Sequence, residues 1–302
     1  MMITKVIFDC DNTMGNTFGW ELDDGLALFY ILGSSDLELL GITTVFGNGK
    51  IENVMRYTKN LLKAIGREDI PLKEGASRRG AAPTEAAHFL AKNAASNPGE
   101  LVILAVGTLG NLQAAAQIDP NFFRNLKAII LMGGHIEHPF TMGKLILPDV
   151  NLRRDPKATF RVFHAECPVT VINSEICKQV PFTKEHLERV NFWPKNIRHL
   201  IESLFSTYKE HTGLDLIYIW DVLVPVFLNH PDLFDKNQVR IVASNVKDIK
   251  EGYLKLTDNE NGVLINMPSK ILDPKLFMNI VIEAWLRFHN ITMEKNKGYS
   301  DF

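Results

Sequence analysis

Aspartates and side-chain amides stand at intervals that suit oxygen chemistry. Asp9, Asp11, Asp23 and Asp24 crowd the start of the chain, Asp149 and Asp221 follow far along it, and Asn48 and Asn151 are amides that follow expected strands. Because side chains alternate faces along a strand, Asp9 and Asp11, which close the run Lys5-Val6-Ile7-Phe8, can lie on the same side. Paired carboxylates repel one another unless something positive is near, and a hard divalent cation held by oxygen is what such a set would take. Each residue also has a simpler explanation. Asp23 can cap a helix, Asn48 can cap one starting at Ile51, Asn111 can cap one of its own, and Asp155-Pro156 is an ordinary helix start. Asp221 lies in the apolar stretch Ile219-Trp220-Asp221-Val222-Leu223 and needs a partner, since burying a lone charge is costly.

Elements that would position these residues follow from periodicity. Short apolar runs ending in Gly, Asn or Asp alternate with longer amphipathic segments, the pattern of βα units in a largely parallel sheet. Strands are expected at Thr4–Phe8, Leu39–Val45, Leu101–Val106, Ala128–Met132, Val169–Ile172 and Val239–Val242. Helices are expected at Asp23–Leu32, Ile51–Ile65, Thr84–Asn97, Pro156–Ala165, Trp193–His211, Asp221–Asn229 and Lys275–His289. Gly252 to Met267, broken by an Asn-Gly turn signal, reads as a hairpin. With no internal repeat or linker, residues 1–302 read as a single α/β domain: an open, mostly parallel, Rossmann-like sheet flanked by helices. Ligands of such sheets sit beyond the carboxyl ends of the strands. The segments there are Thr43–Asn48, Gly107–Asn111 and Leu131-Met132-Gly133-Gly134.

Composition narrows the partners. The chain has 302 residues, 46% of them hydrophobic, and 33 basic against 35 acidic residues leave a net charge of −2. That balance gives no footprint for nucleic acid or for an anionic membrane. Three cysteines without a CxxC pair suggest neither a disulfide framework nor a thiolate zinc site. Acidic residues interrupt the N-terminus before a signal-peptide core forms, and no apolar run nears the roughly 18 residues of a membrane span. A cytoplasmic location is expected.

Six pieces in order, DCD followed by DD, GITTVFGN, AVGTLGN, AIILMGG, DVN followed by DP, and WD near residue 220, carry a resemblance. The chain resembles the calcium-dependent nucleoside hydrolases, the inosine–uridine nucleoside N-ribohydrolase superfamily. That resemblance implies that Asp11, Asp24 and Asp221 ligate Ca²⁺ together with the backbone carbonyl of Gly110, where the family usually has Thr. It implies that Asp23 and Asn48 hold ribose hydroxyls, that Asn151 and Asp149 also meet the sugar, and that Met132 lies near it. Asp149 stands where Glu is common, and Asp9 would support the site. Asp11 would act as general base on the attacking water, the substrate would be a small-molecule nucleoside, and the protein would form a homodimer or homotetramer.

Two departures bear on specificity. Asn12–Leu22 is longer than the family's usual turn and could fold over the site. Trp220 replaces the His that many members use to protonate the leaving base; it resembles the purine-preferring branch, where an indole stacks on the purine. That branch's second Trp has no counterpart in Gly75–His88, and His135 and His138 could supply a replacement acid. Core packing explains Trp220 nearly as well.

Two rivals remain at this level. VIFDCDNT also fits the opening of a haloacid dehalogenase-type phosphatase, with Asp9 as nucleophile, Asp11 as acid/base and Mg²⁺ as cofactor, although no GDxxxD motif follows residue 150. The other is a nucleoside- or ribose-binding protein without turnover.

Overall fold

A computed structural model describes residues 3–14 and 22–295. Eight strands form one sheet: β1 (Thr4–Cys10), β2 (Leu37–Thr44), β3 (Leu72–Lys73), β4 (Val102–Ala105), β5 (Ala128–Met132), β6 (Val169–Ile172), β7 (Gln238–Ile241) and β8 (Val263–Asn266). Their order is β7-β8-β6-β5-β4-β1-β2-β3, and every pair is parallel except β7 with β8. The central strands β4 and β6 are buried throughout, and β1 from Val6 onward, as expected of parallel strands covered on both faces by helices. Val6, Phe8 and Cys10 face one core with the helices Asp23–Leu32, Leu223–Asn229 and Pro274–Lys295. Ile7, Ile103, Ile129 and Val171 face the other, with the helices Glu85–Ser96, Gly110–Ile118 and Pro156–Phe163.

Strand register brings the carboxyl ends level. Asp9 pairs with Thr43 on one side and Ala105 on the other, Ala105 with Leu131, and Leu131 with Val171. Residues following these positions therefore share one rim.

Helix α1 (Asp23–Leu32) delivers Asp23 and Asp24 to that rim. Its residues from Asp23 to Ile31 are buried, as a helix that is apolar all round must be. Trp285 fixes it by donating from Nε1 to the Leu26 carbonyl at 2.9 Å. A Cβ on Gly33 would stand 1.9 Å from the Ala284 carbonyl oxygen, so only glycine lets the helix from Pro274 approach so closely.

Most expected elements stand within two residues of their places; the last helix, expected to end at His289, runs on to Lys295, and the other exceptions have reasons. The Gly252–Met267 hairpin does not form. Val263–Asn266 pairs antiparallel with Gln238–Ile241, Leu256 bridges Ile241 from the other side, and Tyr253–Leu254 pairs with His135–Ile136. The arms of the expected hairpin thus flank a common strand, because the apolar faces of Ile241 and Ile265 find burial in the sheet. Asp221 lies in a single 3₁₀ turn, Trp220–Val222, and the α-helix begins after it at Leu223. A hairpin that periodicity did not indicate, Phe140–Met142 with Leu145–Leu147, crosses over the rim. Of the Asn12–Leu22 insertion, residues 15–21 lie outside the described residues; Met14, before them, packs beneath Gly25. No helix among the described residues is long and apolar enough to cross a membrane, and all three cysteines are free.

Candidate active site

At the rim, one cavity is lined by Asp23, Asn48, Met132, Asp149, Asn151 and Asp221 toward one end and by His135, Phe140, Met142, Leu147, Tyr208 and Trp220 toward the other. Strand ends, α1, the loop after the hairpin and Asp221 of the 3₁₀ turn build the first group. The hairpin, the helix Lys195–Thr212 and the 3₁₀ turn build most of the second.

Asp23, Asp24 and Asp221 are at most 4% exposed. Their carboxylates each offer an oxygen within 4.8 Å of the others. The Asp221 amide also donates to Asp23 Oδ2 at 3.3 Å, so α1 and the 3₁₀ turn are tied where their charges meet. Three negative groups so near one another and so shielded from water repel strongly, and a cation is the natural counterpart. An all-carboxylate oxygen set suits a hard divalent ion such as Ca²⁺ rather than a thiophilic one. The residues present therefore fit such an ion.

Asp11 adjoins this group by its backbone, its amide donating to Asp24 Oδ1 at 3.1 Å. Its carboxylate is held by Asn48, whose backbone amide donates to Oδ2 at 2.7 Å and whose side-chain amide donates to Oδ1 at 3.2 Å. Asn48 is thus no helix cap; Lys50 occupies the cap position, without a side-chain bond. The turn comes in close because Gly47 has no side chain: a Cβ there would fall 1.7 Å from Asp11 Oδ2. Arg154 donates from Nη1 to the Gly47 carbonyl, fastening the same turn from the opposite wall. Burial pushes the Asp11 carboxyl up to about 7, against the Asn48 amide, which lowers it, with the Asp23 charge adding to the rise. Gly110 opens the helix Gly110–Ile118 and is buried close to Ala76 and Asp155.

Asp9 points elsewhere. Its Oδ1 accepts from Thr43 Oγ1 at 2.5 Å and from Asn111 Nδ2 at 2.7 Å, and burial raises it to about 7 against those bonds. Asn111 does not cap its helix either. Its Nδ2 also donates to the Thr44 carbonyl at 2.9 Å and its Oδ1 accepts from the Ala76 amide at 2.8 Å. One side chain after β4 thereby fastens β1, the end of β2 and the loop after β3. Asp155 is a cap as expected, accepting from the Ala158 amide at 3.2 Å.

Asp149 accepts from Gly134 at 2.7 Å through Oδ2 and from Leu152 and Arg153 at 2.7 and 3.0 Å through Oδ1. Burial raises its pKa, and these amides pull it back. Asn151 donates from Nδ2 to the carbonyls of Val106 and Met132 at 2.9 and 3.1 Å, which leaves its Oδ1 as the acceptor for a ligand.

Trp220 is half-buried, edge-on to Phe140 at 5.0 Å between ring centroids and tilted against Tyr218 at 4.8 Å. It packs on the core and also lines the cavity. The two histidines separate: His138 is exposed, whereas His135 is 5% exposed and lines the cavity. His135 Nδ1 meets Ser174 Oγ at 2.7 Å, and Ser174 donates from Oγ to the Gly134 carbonyl at 3.0 Å. Burial lowers the His135 pKa, opposed by the Asp149 and Glu175 charges and a hydrogen bond with the Leu147 backbone, and seconded by the Lys178 charge.

Phe140, Met142, Leu147, Tyr208, Ser174 and Arg154 were not singled out from sequence. For the hairpin a signal existed: Phe-Thr-Met-Gly-Lys-Leu-Ile-Leu is two short apolar runs about a two-residue turn with glycine first.

Comparisons with known proteins agree with this geometry. The family model described as inosine-uridine preferring nucleoside hydrolase matches residues 6–270. The chain is 27% identical over 260 residues to uridine nucleosidase 1 of Arabidopsis thaliana, covering 74% of this chain and 76% of that one. It is 25% identical over 218 residues to the inosine-uridine preferring nucleoside hydrolase of Crithidia fasciculata, covering 63% and 66%. In fold it resembles a purine-preferring ribonucleoside hydrolase from Gardnerella vaginalis, with TM-score 0.81, 20% identity and coverage of 95% and 99%. A plant nucleoside hydrolase superimposes with TM-score 0.79 at 24% identity, over 93% and 98%. The phosphatase alternative is thereby overturned, and Asp9, enclosed by Thr43 and Asn111, is not presented as a nucleophile.

Proposed function

This chain belongs to the inosine-uridine preferring nucleoside hydrolase family, and from that premise we propose that its cavity splits ribonucleosides into ribose and free base, with purine nucleosides slightly favoured. The observation that carries the reading is the trio of buried carboxylates, Asp23, Asp24 and Asp221, two of which line one end of a cavity whose other end is aromatic. A nucleoside has the same two halves, a polyhydroxylated sugar and a flat base.

Asp24 and Asp221 would hold Ca²⁺, joined by Asp11 and the carbonyl of Gly110. When bound, the cation supplies a Lewis acid that orients the ribose diol and the attacking water. Asp23 and Asn48 receive the sugar hydroxyls, with Asn151 offering Oδ1 and Met132 beside it. Asp149 holds the turn that carries Asn151, and its Oδ2, which accepts from the Gly134 amide, can accept another bond from a hydroxyl.

N-ribosidic cleavage passes through an oxocarbenium-like sugar. Asp11 takes the proton of the attacking water. Proton transfer to a positioned carboxylate of this kind is what general-base catalysis asks of Asp11. Clamped by Asn48, it loses little freedom in acting. The surrounding carboxylates favour the positive charge that develops on the sugar. Trp220 supplies a face on which a purine stacks as it departs.

A reducing-sugar assay over a nucleoside panel tests this reading, with and without chelator, on the parent and Asp11→Asn. The parent with Ca²⁺ should release ribose, chelation should abolish release, and Asp11→Asn should lose about a thousandfold in kcat. Tight nucleoside binding without any sugar release would show a binding protein instead.

A further inference from the structure

Arg154 is an exposed residue that reaches back across the rim. It ends the turn after the hairpin, which carries Asn151 and closes from the Arg154 amide to the Val150 carbonyl at 3.2 Å. That turn is held from both sides. Asp149 Oδ1 accepts from the Leu152 and Arg153 amides, and Thr159 Oγ1 donates to the Leu152 carbonyl at 2.9 Å. Asp155, the next residue, caps the following helix and accepts from the Gly80 amide at 3.3 Å. Arg154 therefore projects from a fixed base.

What it reaches has less support of its own. The segment after β2 is anchored as far as Phe46, whose amide donates to the Ala76 carbonyl at 2.9 Å and whose carbonyl accepts from Thr108 Oγ1 at 2.7 Å. Beyond Phe46, the Gly47 amide donates within its own turn, to the Gly49 carbonyl at 3.1 Å, and Asn48 bonds to both oxygens of Asp11. Asn48 would otherwise depend on the very group it fixes. The bond from Arg154 Nη1 to the Gly47 carbonyl supplies outside support one residue before that grip. The guanidinium also brings charge: burial dominates the rise of the Asp11 carboxyl, the Asp23 and Asp9 charges add to it, and the Arg154 charge opposes it.

We propose that Arg154 is a positioning residue for Asp11: by holding the Gly47–Asn48 turn from the opposite wall, it keeps the carboxylate aimed at the attacking water. This rests on the nucleosidase reading of the same cavity and adds to it a residue that acts without touching the substrate. A guanidinium suits the task. Its long stem spans the rim, its charge is constant at neutral pH, and its planar N–H groups give a directed bond. A group that acts through Asp11 governs the geometry of reaction more than the hold on the nucleoside.

The test measures kcat and KM, on the nucleoside the parent hydrolyses fastest, for the Ca²⁺-loaded parent, Arg154→Ala, Asp11→Asn and the double variant, with folding checked by thermal melting. Arg154→Ala should lose about tenfold to a hundredfold in kcat, the cost of displacing a reacting group by up to about 1 Å, while KM changes by less than about threefold. In the Asp11→Asn background the same substitution should cost less than about threefold, because the group it positions is gone. Amide hydrogen exchange reads the contact without turnover: the Asn48 amide should exchange at least about tenfold faster in Arg154→Ala, with the β4 amides unchanged. Arg154→Met, which keeps the stem and removes the donor, takes the place of alanine if that variant does not fold. Unchanged kcat in the folded variant, or an equal loss in both backgrounds, overturns the positioning role. So does a raised KM at unchanged kcat, which would make Arg154 a substrate ligand. A parent that releases sugar from no nucleoside overturns the nucleosidase reading instead, and the exchange rates then decide whether Arg154 holds the turn.

Discussion

The two ends of the cavity are held in place by different forces. At the carboxylate end, directional bonds fix nearly every group: Asn48 grips both oxygens of Asp11, three backbone amides hold Asp149, and Asn151 spans two carbonyls. At the aromatic end, rings lean on rings, Trp220 on Phe140 and Tyr218, with Lys178 Nζ 4.1 Å above the Phe140 ring. The hairpin that carries Phe140 meets the helix Lys195–Thr212 at its tip, where a Cβ on Gly143 would lie 1.9 Å from the Thr212 carbonyl. Hydrogen bonds define positions to tenths of an ångström, as bond cleavage requires, whereas apolar contacts tolerate a change of shape. The reacting half is thus rigidly built, and the half that meets the base is adaptable.

Three substitutions probe that contrast. Asp24→Ala should have the largest effect, about a thousandfold in kcat/KM, the scale of removing a preorganised electrostatic group. Its residual activity should no longer respond to added Ca²⁺. Gly47→Ala adds only a methyl group, but at 1.7 Å from Asp11 Oδ2 it must displace that carboxylate. Moving a reacting group by about 1 Å costs on the order of a hundredfold in kcat, with KM less affected. If Gly47→Ala kept full kcat, the rigidity ascribed to the carboxylate end would be wrong. Trp220→Ala, by contrast, should cost about tenfold in kcat/KM for purine nucleosides and less for pyrimidines, the worth of one stacked base. Unaltered purine turnover would remove Trp220 from base binding.

The smallest effect concerns stability. Burial raises the carboxyls of Asp9 and Asp11 from 3.8 to about 7, so the folded chain holds protons that the unfolded chain has released. Their contribution is present below pH about 4 and is lost as pH rises through about 7. Chelated protein should therefore melt a few degrees lower at pH 8 than at pH 6, and Ca²⁺ should narrow the gap by binding the folded state. Equal melting temperatures in chelator would mean that both acids ionise in the fold as they do in water.

The same contrast decides what could be read without coordinates. β1, β4, β5 and β6 and the helix Asp23–Leu32 announce themselves by apolar runs and by the Asp-Asp pair that opens the helix. The residues just after them therefore fell into place at the rim. Capping, a local rule, misled at Asn48 and Asn111, because both side chains are drawn to aspartates distant in sequence. The aromatic end had no comparable signal. Phe140, Tyr208 and Trp220 come from three separated segments, and nothing local states that Phe140 meets Trp220 edge-on. Likewise, Gly252–Met267 has a sound turn signal, yet long-range pairing with β7 outweighs it.

Asn111 has a consequence for how this protein opens. A single amide joins Asp9, the Thr44 carbonyl and the Ala76 amide, and it sits on the helix that follows β4. None of those segments can move away without breaking a bond that another segment shares. Fluctuations at this rim are therefore collective: the ends of four neighbouring strands fray as one cooperative unit, or none of them does. Hydrogen exchange at this rim would then show the rate of one event rather than a gradient of independent loops.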